Sequence, residues 1–142
     1  MTTTWILVAN ASIARLFAHS GHEHGLALVK ELSHPQSRMK NADLVTDRAG
    51  HMQGSGDGHG SRQPRTEAKE QEALHFAGEL ALELGHGRNA GKFEHIVLVA
   101  TPGFLGMLND KLDPQLAKLV TRRYEKDYTQ ITDKELAAHL EL

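Results

Sequence analysis

Two stretches of the chain are apolar without interruption, residues 5–9 (WILVA) and residues 96–100 (IVLVA). A strand open to water on one face alternates, whereas these runs are apolar at every position, which suits strands covered on both faces at the centre of a sheet. After the second run, Thr101, Pro102 and Gly103 end the strand, because Pro102 cannot donate to a ladder and Gly103 tolerates turn dihedrals. Phe104, Leu105, Met107 and Leu108 then follow at helical spacing. The amino end of that short helix would sit at the carboxyl end of a buried strand, where open α/β sheets take ligands. The same residues also read as no more than a tight strand-to-helix turn packing apolar side chains.

The remaining pattern surrounds these two strands. Residues 13–18 (IARLFA) and 26–32 (LALVKEL) read as strands separated by turn residues, and connections this short permit only an antiparallel meander with the first strand. A helix is expected from Thr66 to Leu84, with Thr66 as cap and Ala73, Leu74, Ala77, Leu80, Ala81 and Leu84 recurring at three and four, ended by Gly85 and Gly87. That crossover is long enough to bring residues 96–100 back parallel to residues 5–9 and beside them. Asp113 and Pro114 cap a further short helix over LAKLVTRR, and residues 122–131 alternate as an edge strand. Thr132 and Glu135 form a capping box that opens a last helix through His139. The expectation is one α/β domain over residues 1–142, with flanking helices on a mixed five-stranded sheet of spatial order third, second, first, fourth, fifth.

Residues 34–65 interrupt the pattern with one weak apolar run and the tract GSGDGHGSR, and they are expected to be a long flexible loop. Arg38, Lys40, Arg48, Arg62 and Arg65 outnumber Asp43, Asp47 and Asp57 there, and His34, His51 and His59 add partial charge, so the loop is mildly basic. The whole chain is not: sixteen Lys and Arg face eighteen Asp and Glu, leaving no global field that would draw nucleic acid or a membrane. Cysteine is absent, which removes disulfides, thiolate catalysis and Cys-based zinc sites. WILVA is too short for a membrane span and has no basic flank before it, so a cytoplasmic protein without a leader or membrane partner is expected.

Ten histidines invite a metal reading, with His22 and His24 two apart, and His51 with Asp57 and His59 of the glycine tract. No HExxH is present, and the tract would have to order itself around an ion, so no metal or other cofactor is assigned. Ser12, Ser55 and Ser61 lack a nucleophile elbow, and Asp43 and Asp47 lie beside Arg48, which favours a local ion pair over acid/base work. No catalytic residue is assigned and an enzyme is not the expectation. The tract is not a P-loop, since no GK[ST] follows it.

Four strings in order, NADLVTDRAGH (residues 41–51), KEQEALHFAGELA (69–81), FEHIVLVATPGFLGML (93–108) and YEKDYTQITDKELAAHL (124–140), resemble the bacterial host-attachment protein family across nearly the whole chain. The resemblance implies the fold of the second domain of archaeal and eukaryotic release factors, a translational-machinery-component fold related to the ribonuclease H arrangement. In that relation the loop before the long helix carries GGQ, which enters the peptidyl-transferase centre. The matching residues here are Gly58-His59-Gly60-Ser61-Arg62-Gln63, without GGQ, so peptide release is not expected. The expectation is a non-enzymatic factor that meets the ribosome or structured RNA through the basic, glycine-rich loop, with Lys40, Arg48, Arg62, Gln63 and Arg65 on phosphates. The alternative is a small metal-dependent hydrolase using the loop histidines and aspartates.

Overall fold

The two uninterrupted apolar stretches are the two central strands. A computed structural model describes residues 2–20, 25–34 and 58–142, with side chains from residue 68 onward in the last of these. In chain order the elements are β1 (Thr4–Ala9), β2 (Ile13–His19), β3 (Ala27–Ser33), α1 (Gly58–Asn89), β4 (His95–Ala100), α2 (Pro102–Lys111), α3 (Pro114–Leu119), β5 (Val120–Glu125) and α4 (Asp133–Leu140). The strands form one sheet in the order β3-β2-β1-β4-β5, as the pattern predicts. β1 runs antiparallel to β2 and parallel to β4, with Trp5 opposite Ile96 and Val99 opposite Val8.

Strand alternation then divides the core in two. Trp5, Leu7, Ala9, Ile96, Leu98 and Ala100 face α1, α2 and α3, where Phe76, Leu80, Leu84, Phe104, Leu108 and Leu116 meet them. Ile6, Val8, Val97 and Val99 face the opposite side, where Leu136 and Leu140 of α4 cover them. Both faces of β1 and β4 are therefore buried, which is why each strand is apolar at every position after its first residue, Thr4 or His95.

α1 departs from expectation at both ends. It does not stop at Gly85 or Gly87: at Gly87 the backbone lies so close to the sheet that an added Cβ would overlap the Trp5 ring and come 2.9 Å from Cε2 of Phe93. The glycine is there for close approach. The helix ends instead on Gly91, at φ 69°, whose N–H donates to Arg88 O (3.0 Å) while the Lys92 N–H donates to Gly87 O (2.9 Å), a Schellman closure. At its other end the helix begins at Gly58 rather than Thr66, so residues 58–65, expected in the loop, are helical, while residues 35–57 of the expected loop lie outside the described residues. Glycines and Pro64, which has no N–H to give to Gly60, are poor helix formers. They lengthen an existing helix whose nucleus is held by the buried half, and extension adds a hydrogen bond for most residues fixed.

The third departure is at the other edge. α3 ends at Leu119 and Val120–Glu125 form β5, parallel to β4, where the sequence suggested a helix through Arg123 and a strand up to residue 131. Pairing with β4 outweighs the helix propensity of Arg122 and Arg123. Both edge strands carry a bulge: Leu16 is opposite Lys30 but Phe17 opposite Leu28, leaving Val29 extra, and Ile96 is opposite Val120 but Val97 opposite Arg122, leaving Thr121 extra. The helix caps form as expected. Asp113 Oδ1 accepts the Leu116 N–H at 2.8 Å, and Thr132 and Glu135 exchange bonds of 3.0 and 3.1 Å. No described helix is long and apolar enough to cross a membrane.

Candidate functional site

α1 runs back along the sheet from its carboxyl edge to its amino edge, since Glu72 lies at the end of β3 and Gly87 at the start of β1. At 1.5 Å per residue, the helical turns before Glu72 reach roughly 20 Å beyond that contact. Arg62, Gln63 and Arg65 belong to those turns, so the structure places three of the five predicted phosphate-contacting residues on a helix rather than in a loop. Arg62 and Arg65 are three positions apart, a spacing that puts two Cα atoms on one side of a helix, and the first turn of α1 has no acidic residue. Lys40 and Arg48 lie outside the described residues, as do His22, His24, Asp43, Asp47, His51, Asp57 and the side chain of His59.

His34, counted among the charged loop residues from sequence, is instead an anchor. Its backbone N–H donates to Ser12 O (2.8 Å), its ring is buried and stacks on Phe76 at 5.3 Å, and Nε2 lies 2.7 Å from Glu72 Oε1. Nδ1 is 3.7 Å from Glu79 Oε1, so two α1 carboxylates hold the imidazole that leads out of β3. The arrangement fastens the end of the sheet to α1.

The rest of the carboxyl edge is a satisfied polar network. Asn10 Oδ1 accepts the N–H groups of Ser12 (2.8 Å) and Ile13 (2.9 Å), which makes the β1–β2 turn, and its amide donates to Asp127 Oδ2 (3.2 Å) and Thr129 Oγ1 (3.3 Å). Asp127 Oδ1 accepts from the hydroxyl (2.6 Å) and N–H (3.1 Å) of the buried Thr129. Partial burial would raise the Asp127 carboxyl, but the bonds from Thr129 and Asn10 outweigh it and hold the group below the ordinary carboxylate value. Every polar atom of this cluster has work in tying the 126–132 segment to the β1–β2 turn. The amino end of α2, the ligand position suggested by the sequence, opens on the exposed Pro102 and Gly103. Among the described residues, no three His, Asp or Glu side chains converge as a metal site requires.

A different concavity was not legible. At the amino edge, on the α4 side, Arg122 and Tyr124 of β5 line a cavity of about 190 Å³ together with His19, Val97, Leu140 and Glu141. The alternation of residues 122 and 124 is visible in the sequence, but the face they take depends on the bulge at Thr121, which leaves no sequence signal.

The solved structure of an archaeal translation termination factor, aRF1, is similar to this chain with a TM-score of 0.51 at 13% identity, covering 98% of this chain and 39% of that one. This chain therefore corresponds to only part of that factor's length. A comparison with curated proteins finds no match. The chain belongs to the family described as "Protein required for attachment to host cells", whose model matches residues 5–140.

Proposed function

We propose that this protein is a non-enzymatic factor that associates with the ribosome or with structured RNA through the basic segment that carries Lys40, Arg48, Arg62, Gln63 and Arg65. The observation behind the reading is the similarity in fold, over 98% of the chain, to part of a translation termination factor. The position of Arg62 and Arg65 supports it: they stand three apart on the first turns of α1, before its contact with the end of β3 at Glu72. Glycines at 58 and 60 leave the backbone open to phosphates. Peptide release is not part of the proposal, because glutamine at position 63 follows arginine rather than paired glycines. Such a role places the protein in the cytoplasm. The family description names a phenotype, and an association with translation would make attachment a downstream effect.

Sedimentation with ribosomes across a salt series tests this. Neutralising three phosphates gives a slope of log affinity against log salt of about −2 for single-stranded contacts. Replacing Arg48, Arg62 and Arg65 together by Ala flattens that slope and leaves the melting temperature unchanged. If the wild-type protein fails to sediment with ribosomes or bind structured RNA at low ionic strength, where these contacts are strongest, the reading is wrong.

A further inference from the structure

The cavity at the amino edge is separate from Arg62, Gln63 and Arg65, which belong to the first turns of α1. It is built by a distortion of the sheet. Val120 pairs with Ile96 and packs on the α1 side, so a regular strand would send Arg122 to that side too. The extra residue Thr121 reverses the parity: Arg122 pairs with Val97 and Tyr124 with Val99, both on the α4 side. Bulges that re-aim side chains in this way are concentrated beside binding sites.

The bulge puts Arg122, which is exposed, and Tyr124, which is half-buried, on the cavity wall. Arg122 Nη1 donates to the Tyr124 hydroxyl oxygen (3.0 Å), which sets the two groups side by side and leaves the phenol proton to donate elsewhere. Among the described residues Arg122 has no carboxylate within ion-pair distance, so its other N–H groups are not engaged in one. Glu141 lies on the cavity wall, its backbone set by the left-handed end of α4 at φ 59° with its N–H on Ala138 O (3.2 Å) and its side chain exposed. Val97 and Leu140 supply an apolar wall. A volume of about 190 Å³ is below the roughly 300–1,000 Å³ of drug-sized sites, so the occupant has few heavy atoms.

We propose that this cavity binds a free α-amino acid with a small apolar side chain, its carboxylate on Arg122 and Tyr124, its ammonium on Glu141 and its side chain against Val97 and Leu140. The charge pattern selects a zwitterion. Arg122 and Glu141 on the wall offer opposite charges to a ligand with both signs, whereas a phosphate drawn to Arg122 would also meet the Glu141 carboxylate.

Isothermal titration of the full chain with L-valine tests the assignment, with 3-methylbutanoate (no ammonium), valinamide (no carboxylate) and inorganic phosphate as comparison probes. L-Valine is expected to bind tightest of the four. Arg122→Ala should weaken it by about tenfold or more, as loss of a charged hydrogen-bond partner does. Arg122→Lys should fall between, and Glu141→Gln should weaken L-valine while leaving 3-methylbutanoate unchanged. Circular dichroism on each variant confirms that the fold is intact. Phosphate or 3-methylbutanoate binding as tightly as L-valine, Arg122→Ala binding unchanged, or no saturable heat from any probe at millimolar concentration would each overturn the proposal.

Discussion

Among the described residues, one face of the sheet carries α1, α2 and α3 over a core of twenty buried residues, while the other carries α4 over seven. The thick face is held by interdigitated apolar side chains: Phe76 packs between His34 and Phe104 at ring distances of 5.3 and 5.9 Å. The thin face relies on polar clamps. Arg15 donates to Ile131 O (2.9 Å) and pairs with Asp133 (3.2 Å) while lying over the Phe17 ring, and Tyr128 stacks on His139 at 4.8 Å. The difference teaches where each property of the molecule resides. Burial on the thick side supplies stability, and the sparse cover on the thin side leaves space for the Arg122 cavity.

Matched truncations are the sharpest way to break this comparison. Leu80 and Leu136 are both fully buried, one on each face. Leu→Ala costs in cores range from about 2 to 5 kcal/mol according to how far the site can collapse. Leu80→Ala, pinned between a long helix and the sheet, should fall near 4 kcal/mol, and Leu136→Ala, under an eight-residue helix that can settle, nearer 2.5 kcal/mol. Urea unfolding reads both. Equal losses would mean that α4 is as rigidly packed as α1 and that the faces differ only in size.

A pair of glycines two residues apart sharpens the account of the thick face. Gly87→Ala drives a methyl group into Trp5 and Phe93 and should destabilise by about 1–3 kcal/mol. Gly85→Ala meets only Leu116 Cδ1 at 4.0 Å, an ordinary contact, and should be neutral or stabilising by up to about 1 kcal/mol through helix propensity. Thermal melts of the two variants should therefore move in opposite directions. Movement in the same direction would remove close approach as the reason for Gly87.

What the sequence made legible divides along the same lines. The central strands, their parallel pairing, the buried stripe of α1 and the α4 capping box all follow from periodicity or from local capping chemistry, and all are present. The ends of α1 were not legible, because a glycine that lets a helix approach a tryptophan looks the same in sequence as one that ends it. His34 read as a loop cation because its partners Glu72 and Glu79 lie far along the chain. The predicted phosphate set is split, with Arg62, Gln63 and Arg65 on α1 and Lys40 and Arg48 outside the described residues. Arg122 and Tyr124 escaped notice because the bulge that aims them is a matter of strand register, which only tertiary pairing fixes.

The smallest effect concerns the polar network that ties the thin face to the β1–β2 turn. Asp127 accepts from Thr129 and Asn10, and those bonds favour its charged form over the burial that opposes it, so its folded value lies below the ordinary one. A carboxyl depressed in the folded state contributes stability that is fully present above its unfolded value and is lost as pH falls through the folded value. Asp127→Asn removes that contribution and sets a second amide donor against the donating Asn10 amide. Wild type should thus exceed the variant in stability at neutral pH, and the gap should narrow as pH drops below about 4, where the unfolded carboxyl begins to hold its proton. Denaturant unfolding at pH 7 and at acid pH measures the gap directly. A gap that persists unchanged into acid would show that Asp127 acts by shape alone, and the thin face would then owe its attachment to packing, as the thick face does.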